Sequence, residues 1–180
     1  IDSQGGEFVA GEFYTGISFG NITYSTGGYS NSFIAKAIDR GNSVDWDWAV
    51  TVDSSSANSA EEIAFDPNGD LVVTGNFQGT ASFGNTAMTS SGNQDLYVTK
   101  ILSNGNSAWA QKAGSGSNDA GLGIGMDSQG NLYVTGYFFQ NTISFGSVDI
   151  ATSGGFDAFI AKMSLDYDQD SIPDSLDDDD

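Results

Sequence analysis

One ten-residue phrase recurs along this chain and constrains its fold more than any other feature. Asp127-Ser-Gln-Gly-Asn-Leu-Tyr-Val-Thr-Gly136 has a counterpart at Asp66-Pro-Asn-Gly-Asp-Leu-Val-Val-Thr-Gly75 and another at Asp2-Ser-Gln-Gly-Gly-Glu-Phe-Val-Ala-Gly11. Each copy runs into an aromatic stretch ending in Ser-Phe-Gly, at 18–20, 82–84 and 144–146. A Ser/Thr-Gly-rich turn follows, then Phe33-Ile-Ala-Lys36, Tyr97-Val-Thr-Lys100 or Phe159-Ile-Ala-Lys162. After two of these the chain reads Gly41-Asn-Ser or Gly105-Asn-Ser and reaches Trp48-Ala or Trp109-Ala. The lysines are 64 and 62 residues apart and the leading aspartates 64 and 61, so independent landmarks keep one register. A period of this length marks a supersecondary unit that buries its faces against copies of itself.

The unit reads as β. Leu132, Val134 and Gly136 alternate with Tyr133, Thr135 and Tyr137, a period of two that suits a strand and not a helix. The Asp-x-x-Gly ahead of it is turn chemistry, because Asp bonds local amides and Gly accepts positive φ. A second strand is drawn through the Ser-Phe-Gly region, a third through Phe/Tyr-Ile/Val-Ala/Thr-Lys and a fourth through the Trp-Ala region. The short, Gly-rich segment from Ala120 to Met126 fits a tightly packed inner strand. No stretch carries apolar spacing of three and four with caps, so no long helix is predicted. Tandem units of about four antiparallel strands are how a β-propeller is written in sequence.

The residues Gly130-Asn-Leu-Tyr-Val-Thr-Gly-Tyr-Phe138, Ser144-Phe-Gly146 and Ser153-Gly-Gly-Phe-Asp-Ala-Phe-Ile-Ala-Lys162 resemble the bacterial SBBP ("seven-bladed β-propeller") repeat over roughly residues 1–165. The resemblance implies a propeller in exported bacterial proteins and brings no catalytic residues with it. The expected fold is therefore all-β, with just under three blades over approximately 1–50, 51–112 and 113–165. Propellers close with about four to eight blades, and an open arc leaves sheet faces and edges uncovered. The expectation is a longer parent protein with further blades, or partner chains, completing the propeller.

Charge and composition narrow the function. The formal charge is −19, from 24 acidic residues against five basic ones. That sign disfavours nucleic acid and anionic membrane surfaces as partners and favours divalent cations. Cysteine and histidine are both absent, which excludes disulfides, thiol nucleophiles, His-based triads and His metal ligands. No run approaches 18 apolar residues, so membrane insertion by a helix is not expected. The carboxylate pairs Glu61-Glu62 and Asp45/Asp47 read as solvated strand-end acids, and no enzymatic activity is expected.

The last fifteen residues, 166–180, hold eight of the acids. Counting Asp166 as position 1, carboxylates fall at positions 1, 3, 5, 9 and 12 (Asp166, Asp168, Asp170, Asp174, Asp177), with Ile172 at position 7. This is the ligand spacing of a calcium loop, in which position 7 offers a backbone carbonyl and a hard cation gathers six to eight oxygens. Ser171 stands where Gly usually makes the sharp turn, and Asp177 replaces the bidentate Glu. The run resembles thrombospondin type 3 repeats, which implies a calcium-bound linker. The plainer reading is a solvated acidic tail.

Other constellations carry a structural and a functional reading side by side. Gly114 to Gly125 is Gly-rich like a phosphate-cradling loop but lacks the following Lys-Ser/Thr, so close strand packing is expected. Asp2, Asp66 and Asp127 are turn formers first and repeated cation ligands second. Lys36, Lys100 and Lys162 read as structural charges that snorkel or pair with a nearby Asp. Trp46, Trp48, Trp109, Tyr14, Phe77, Tyr137 and Phe138 read as core, or as a sugar-stacking platform. The function expected is a non-catalytic structural or interaction module of an exported cell-surface or secreted bacterial protein. The alternatives are a carbohydrate-binding propeller with surface glycans as partners, and the non-catalytic part of a larger secreted enzyme.

Overall fold

The structure is a computed structural model that describes residues 1, 5–127, 129–140, 142–152 and 154–163. Every regular element among them is a strand, and no helix occurs. The first repeat contributes β1 (Gly6–Phe13), the short pair β2 (Gly16–Phe19) and β3 (Ile22–Ser25), then β4 (Asn31–Asp39) and β5 (Val44–Ser54). The second contributes β6 (Asn58–Phe65), β7 (Leu71–Phe77), the short pair β8 (Thr80–Phe83) and β9 (Thr86–Thr89), then β10 (Asp95–Ile101) and β11 (Ser107–Ala113). The third contributes β12 (Asp119–Met126), β13 (Leu132–Phe139), the short pair β14 (Thr142–Phe145) and β15 (Val148–Ala151), then β16 (Phe156–Met163).

The second repeat shows the whole unit: a four-stranded antiparallel sheet in the order β6-β7-β10-β11. In the first repeat β1, β4 and β5 take the last three places, and in the third β12, β13 and β16 take the first three. The first and fourth strands of these two outer sheets have no counterpart among the described residues. Within the middle blade, β7 is buried along its whole length because both of its faces are covered. Val73 packs with Ile34 and Val52 of the first blade, and its neighbour Val72 packs with Val134 and Phe159 of the third. Period-two alternation here separates two buried faces rather than a core from solvent.

The Ser-Phe-Gly segments correct the sequence reading. They are not the second strand of their own blade but the first arm of a hairpin that stands outside it (β2–β3, β8–β9, β14–β15). Their two-residue turns place Gly20, Gly84 and Gly146 at φ of +61°, +60° and +61°, while the following Asn21, Asn85 and Ser147 stay at negative φ. That pattern is a type II′ turn, whose twist matches the flanking strands. The hairpin of one repeat attaches to the fourth strand of the preceding one. Asp53 and Ser54 at the end of β5 pair with Ser82 and Ala81 of β8, and one repeat later Gly114 bridges to Ser144 of β14. The β8–β9 and β14–β15 hairpins thus each cover part of an edge that would otherwise stand open.

Close packing between inner strands follows from small residues and a recurrent bulge. The register of β6 on β7 slips between Ala60 and Glu62, and that of β12 on β13 slips at the equivalent Gly121 and Gly123. A side chain at Gly121 would put its Cβ 2.2 Å from the Thr74 hydroxyl of the neighbouring blade. The Gly-rich stretch before Met126 is therefore an inner strand pressed against the second blade. The Ile124 amide donates to Glu62 Oε2 across that junction at 2.8 Å.

Candidate interaction surface

The repeated landmarks build the joints between blades. Asp66, at the turn from β6 to β7, accepts the amides of Asn68 and Asp70 on Oδ1, both at 2.9 Å. Its Oδ2 takes the Lys100 ammonium at 2.8 Å, and Asp70 holds the same ammonium at 3.3 Å. Burial pushes the Lys100 pKa down, but Asp66 and Asp70 outweigh it and hold it above the ordinary lysine value. Asp127 repeats the turn, accepting the Gln129 and Asn131 amides at 2.9 Å. The Asn131 side chain, with these amides, holds the Asp127 carboxyl below its usual range. Asp66 and Asp127 are thus turn formers, and Asp2 lies outside the described residues. Lys36 sits over the Phe8 ring and 3.9 Å from Asp47, and Lys162 lies over the Tyr133 ring.

A buried polar knot, missed in the sequence, joins the first and second blades. Asn58 Oδ1 accepts both the amide and the hydroxyl of Ser32, at 2.7 and 2.6 Å. Its Nδ2 donates to Asn31 Oδ1 at 3.1 Å and to the Val52 carbonyl at 2.9 Å. All four bonding sites of one amide side chain, two acceptor lone pairs and two N–H donors, are used, which fixes the two blades in one register. Asn and Ser read as turn residues in sequence; only the alignment of Asn58 with Asp119 and of Asn31 with Asp95 marks them as a recurring position.

Two clefts lie between neighbouring blades at the same place in the repeat. The first, about 630 Å³, is walled by Val50 and Val52 of β5, Thr99 and Ile101 of β10 and the Phe83-Gly84-Asn85 hairpin tip. The second, about 430 Å³, is walled by the equivalent Gln111 and Ala113, Ala161 and Met163 and the Phe145-Gly146-Ser147 tip. The first is neutral and polar-rimmed; the second carries Lys112 and Lys162.

Of the aromatics read as a stacking platform, Trp48, Phe77 and Phe138 are buried in the blade cores. Trp48 packs on Phe8 and donates its indole N–H to the Ser103 carbonyl of the next repeat at 3.0 Å. Trp46 meets Phe19 edge-on, Trp109 packs into the second joint, and Tyr137 meets Phe156 edge-on, while Tyr14 is exposed. The structure does not gather these rings on one face. The acids considered for catalysis are engaged elsewhere: Glu61 with Ser59, Glu62 with the Ile124 amide, Asp45 with Arg40 and Asp47 with Lys36.

Among the described residues no group of three or more acidic side chains is placed to hold a metal ion, and no helix is long and apolar enough to cross a membrane. The calcium-loop residues Asp166, Asp168, Asp170, Ile172, Asp174 and Asp177 lie outside the described residues.

No protein-family model matches the chain. Over 100 residues, 50% of the chain, it is 30% identical to an uncharacterized WD repeat-containing protein of Acanthamoeba polyphaga mimivirus, covering 7% of that protein. Over 61 residues, 34% of the chain, it is 44% identical to the regulatory protein FlaEY of Caulobacter vibrioides, covering 6% of it. The chain spans a small fraction of the length of either relative. Stacked antiparallel sheets and a match to a WD repeat-containing protein agree on one class: a β-propeller-like repeat protein.

Proposed function

We propose that the chain is a non-catalytic interaction module, a set of blades within a longer exported bacterial protein that binds other protein segments or chains across its uncovered blade faces. One observation carries this reading. Ile34 and Val98 occupy the same position in the first two blades and are 0% and 2% exposed, each covered by the next blade, whereas their equivalent Ile160 is 70% exposed. Phe156 on the same strand is also exposed. At the other end Val9, the equivalent of the buried Val73 and Val134, is 43% exposed. Burying one such side chain is worth about 1.5–3 kcal/mol, so both faces are ready to accept a further repeat unit. The β2–β3 hairpin, whose counterparts reach the edges of preceding blades, packs through Phe19 against Phe33 and Ala49 of its own blade.

The test is association of the chain itself. Native mass spectrometry across micromolar concentrations is expected to show head-to-tail oligomers that Ile160→Asp abolishes without unfolding the chain. A strictly monomeric protein, with an Ile160→Asp variant indistinguishable from it, would sink this assignment.

The acidic segment adds a calcium-bound linker to the same reading, on the strength of its 1-3-5-7-9-12 ligand spacing. Isothermal titration of calcium into the chain is expected to give a dissociation constant on the order of 0.1–1 mM, as for extracellular modules. The triple change Asp166→Asn, Asp168→Asn, Asp170→Asn is expected to remove the heat. Export to the cell surface or medium is the setting in which millimolar calcium makes such a site useful.

A further inference from the structure

The second joint is built differently from the first, and the difference falls on ionisable groups. In the first joint the facing positions are Asn31, opposite Phe13, and Asn58, opposite Phe77. In the second they are Asp95, opposite Phe77, and Asp119, opposite Phe138. Two amides that bond each other at 3.1 Å are thus replaced by two carboxyl groups, both 0% exposed.

Their surroundings satisfy only half of their oxygens. Asp95 Oδ2 receives Lys112 Nζ at 2.9 Å and the Ser91 amide at 2.8 Å. Asp119 Oδ2 receives the Ser115 amide at 2.5 Å. Oδ1 of Asp95 and Oδ1 of Asp119 are both buried without a well-formed hydrogen bond, the Ser115 hydroxyl and the Phe139 amide approaching the Asp119 carboxyl only loosely. The two groups flank Gly114-Ser115: a Cβ on Gly114 would lie 2.2–2.6 Å from the Asp95 carboxyl atoms. In the first joint the position of Gly114 is taken by Asp53, which keeps its carboxylate on the fourth strand near Asn31. The acid has moved inward, and glycine makes the room.

The other charged groups around Asp119 do not supply the missing partner. Among the strands packed on β12, β7 and β13 carry no charge. On β6, Glu61 is bonded to Ser59 and Glu62 to the Ile124 amide. Lys112 on β11 is committed to Asp95 and Ser91, and Lys100 on β10 to Asp66 and Asp70. Asp157, beyond Phe138 on β16, adds a further buried carboxyl oxygen without a partner. Two carboxylates in one dry joint with a single lysine leave a net negative charge, which a bound proton removes.

We propose that Asp95 and Asp119 form a proton-linked joint between the second and third blades, holding a proton where the first joint holds an amide, so that the third blade is released as the proton leaves to solvent. Burial raises the Asp119 pKa, the neighbouring Asp95 adds to this, and the Ser115 hydroxyl and amide and the Phe139 amide oppose it. The sign follows: a carboxyl whose pKa is higher folded than unfolded contributes stability that is complete below the ordinary aspartate value of about 3.9 and is lost as pH rises through the folded value.

The test compares urea unfolding of the whole chain and of Asp119→Asn, followed by tryptophan fluorescence, from about pH 3.5 to about pH 8. Asn is isosteric and already serves at Asn58, so the variant folds by the precedent of the first joint. The two proteins are expected to coincide at the acid end and Asp119→Asn to become the more stable as pH rises. Its thermal midpoint then sits about 2–4 °C or more above that of the parent. Carbon-13 titration of the Asp119 carboxyl is expected to report a pKa above the ordinary aspartate range. A difference independent of pH, a variant less stable at the alkaline end, or a normal Asp119 titration each overturns the proposal. So does calcium stabilising the parent more than the variant, since a cation would then stand where we place the proton.

Discussion

Gly75→Ala and Gly136→Ala should each unfold or nearly unfold the chain, while the same change at Gly11, the equivalent residue of the first blade, should leave stability almost unchanged. A Cβ at Gly75 would lie 2.0 Å from the Ser59 carbonyl oxygen and 3.0 Å from the Tyr97 ring; at Gly136 it would lie 1.9 Å from the Ala120 carbonyl oxygen. Real side chains do not approach backbone that closely, and the obstructing atoms belong to a paired strand at its bulge, not to a flexible tip. Relief requires β6 or β12 to lift off its partner, breaking ladder bonds in a close-packed interior. The expected loss is at least about 3 kcal/mol in each case, at the upper end for single substitutions. At Gly11 the nearest atom is a Phe33 ring carbon at 3.2 Å, so a side-chain shift of a few tenths of an ångström, with no backbone movement, makes the room. Urea unfolding of the three variants checks the set; equal losses at all three positions would show that the glycines act through the unfolded chain rather than through the bulge.

Lys100→Met should be the next most damaging change. It leaves Asp66, whose side chain is 0% exposed, and the nearby Asp70 without their shared cation. Removing one partner of a buried ion pair costs about 3–5 kcal/mol, because the remaining charge is left desolvated. Asp66→Asn added to Lys100→Met should recover part of that loss, since an amide still accepts the Asn68 and Asp70 amides through Oδ1 without carrying charge. Thermal denaturation of the single and double variants measures the coupling. The raised Lys100 pKa means that this pairing is present throughout neutral pH and is lost only as pH climbs through the folded value, above that of ordinary lysine.

Much of this architecture was legible in the residues. Leu132 to Tyr137 announces a strand through period-two alternation, and the Asp-x-x-Gly ahead of it and of its relative at Leu71 announces the turn that Asp66 and Asp127 close with their own carboxyls. The lysines were readable as structural charges because they recur among apolar neighbours. For the Ser-Phe-Gly stretch pattern alone points to a strand of its own blade, and there it fails. Alternation identifies a strand but not the sheet that receives it, and Ser82 and Ser144 reach the neighbouring repeat instead. The aromatics were ambiguous for a related reason: Trp48 and Tyr14 are equally apolar in sequence, and only the arrival of the next repeat separates the buried ring from the exposed one.

The interaction surface was less accessible. The clefts need two blades and a hairpin tip at fixed distance, and no short run of residues encodes that. The Asn58 knot and the Asp95–Asp119 pair were hidden among turn-like polar residues, although aligning the repeats would have exposed their position. What the sequence alone determined is the unit: its length, its strands, its Asp-x-x-Gly turns and its acidic character, all set by interactions between residues near one another in the chain. What only the tertiary structure decided is how units meet: which edge each hairpin covers, which face of Ile34, Val98 and Ile160 finds a neighbour, and which carboxyls lose their water. Those outcomes depend on contacts about sixty residues apart, where burial and desolvation, rather than local preference, select among arrangements the chain itself permits equally.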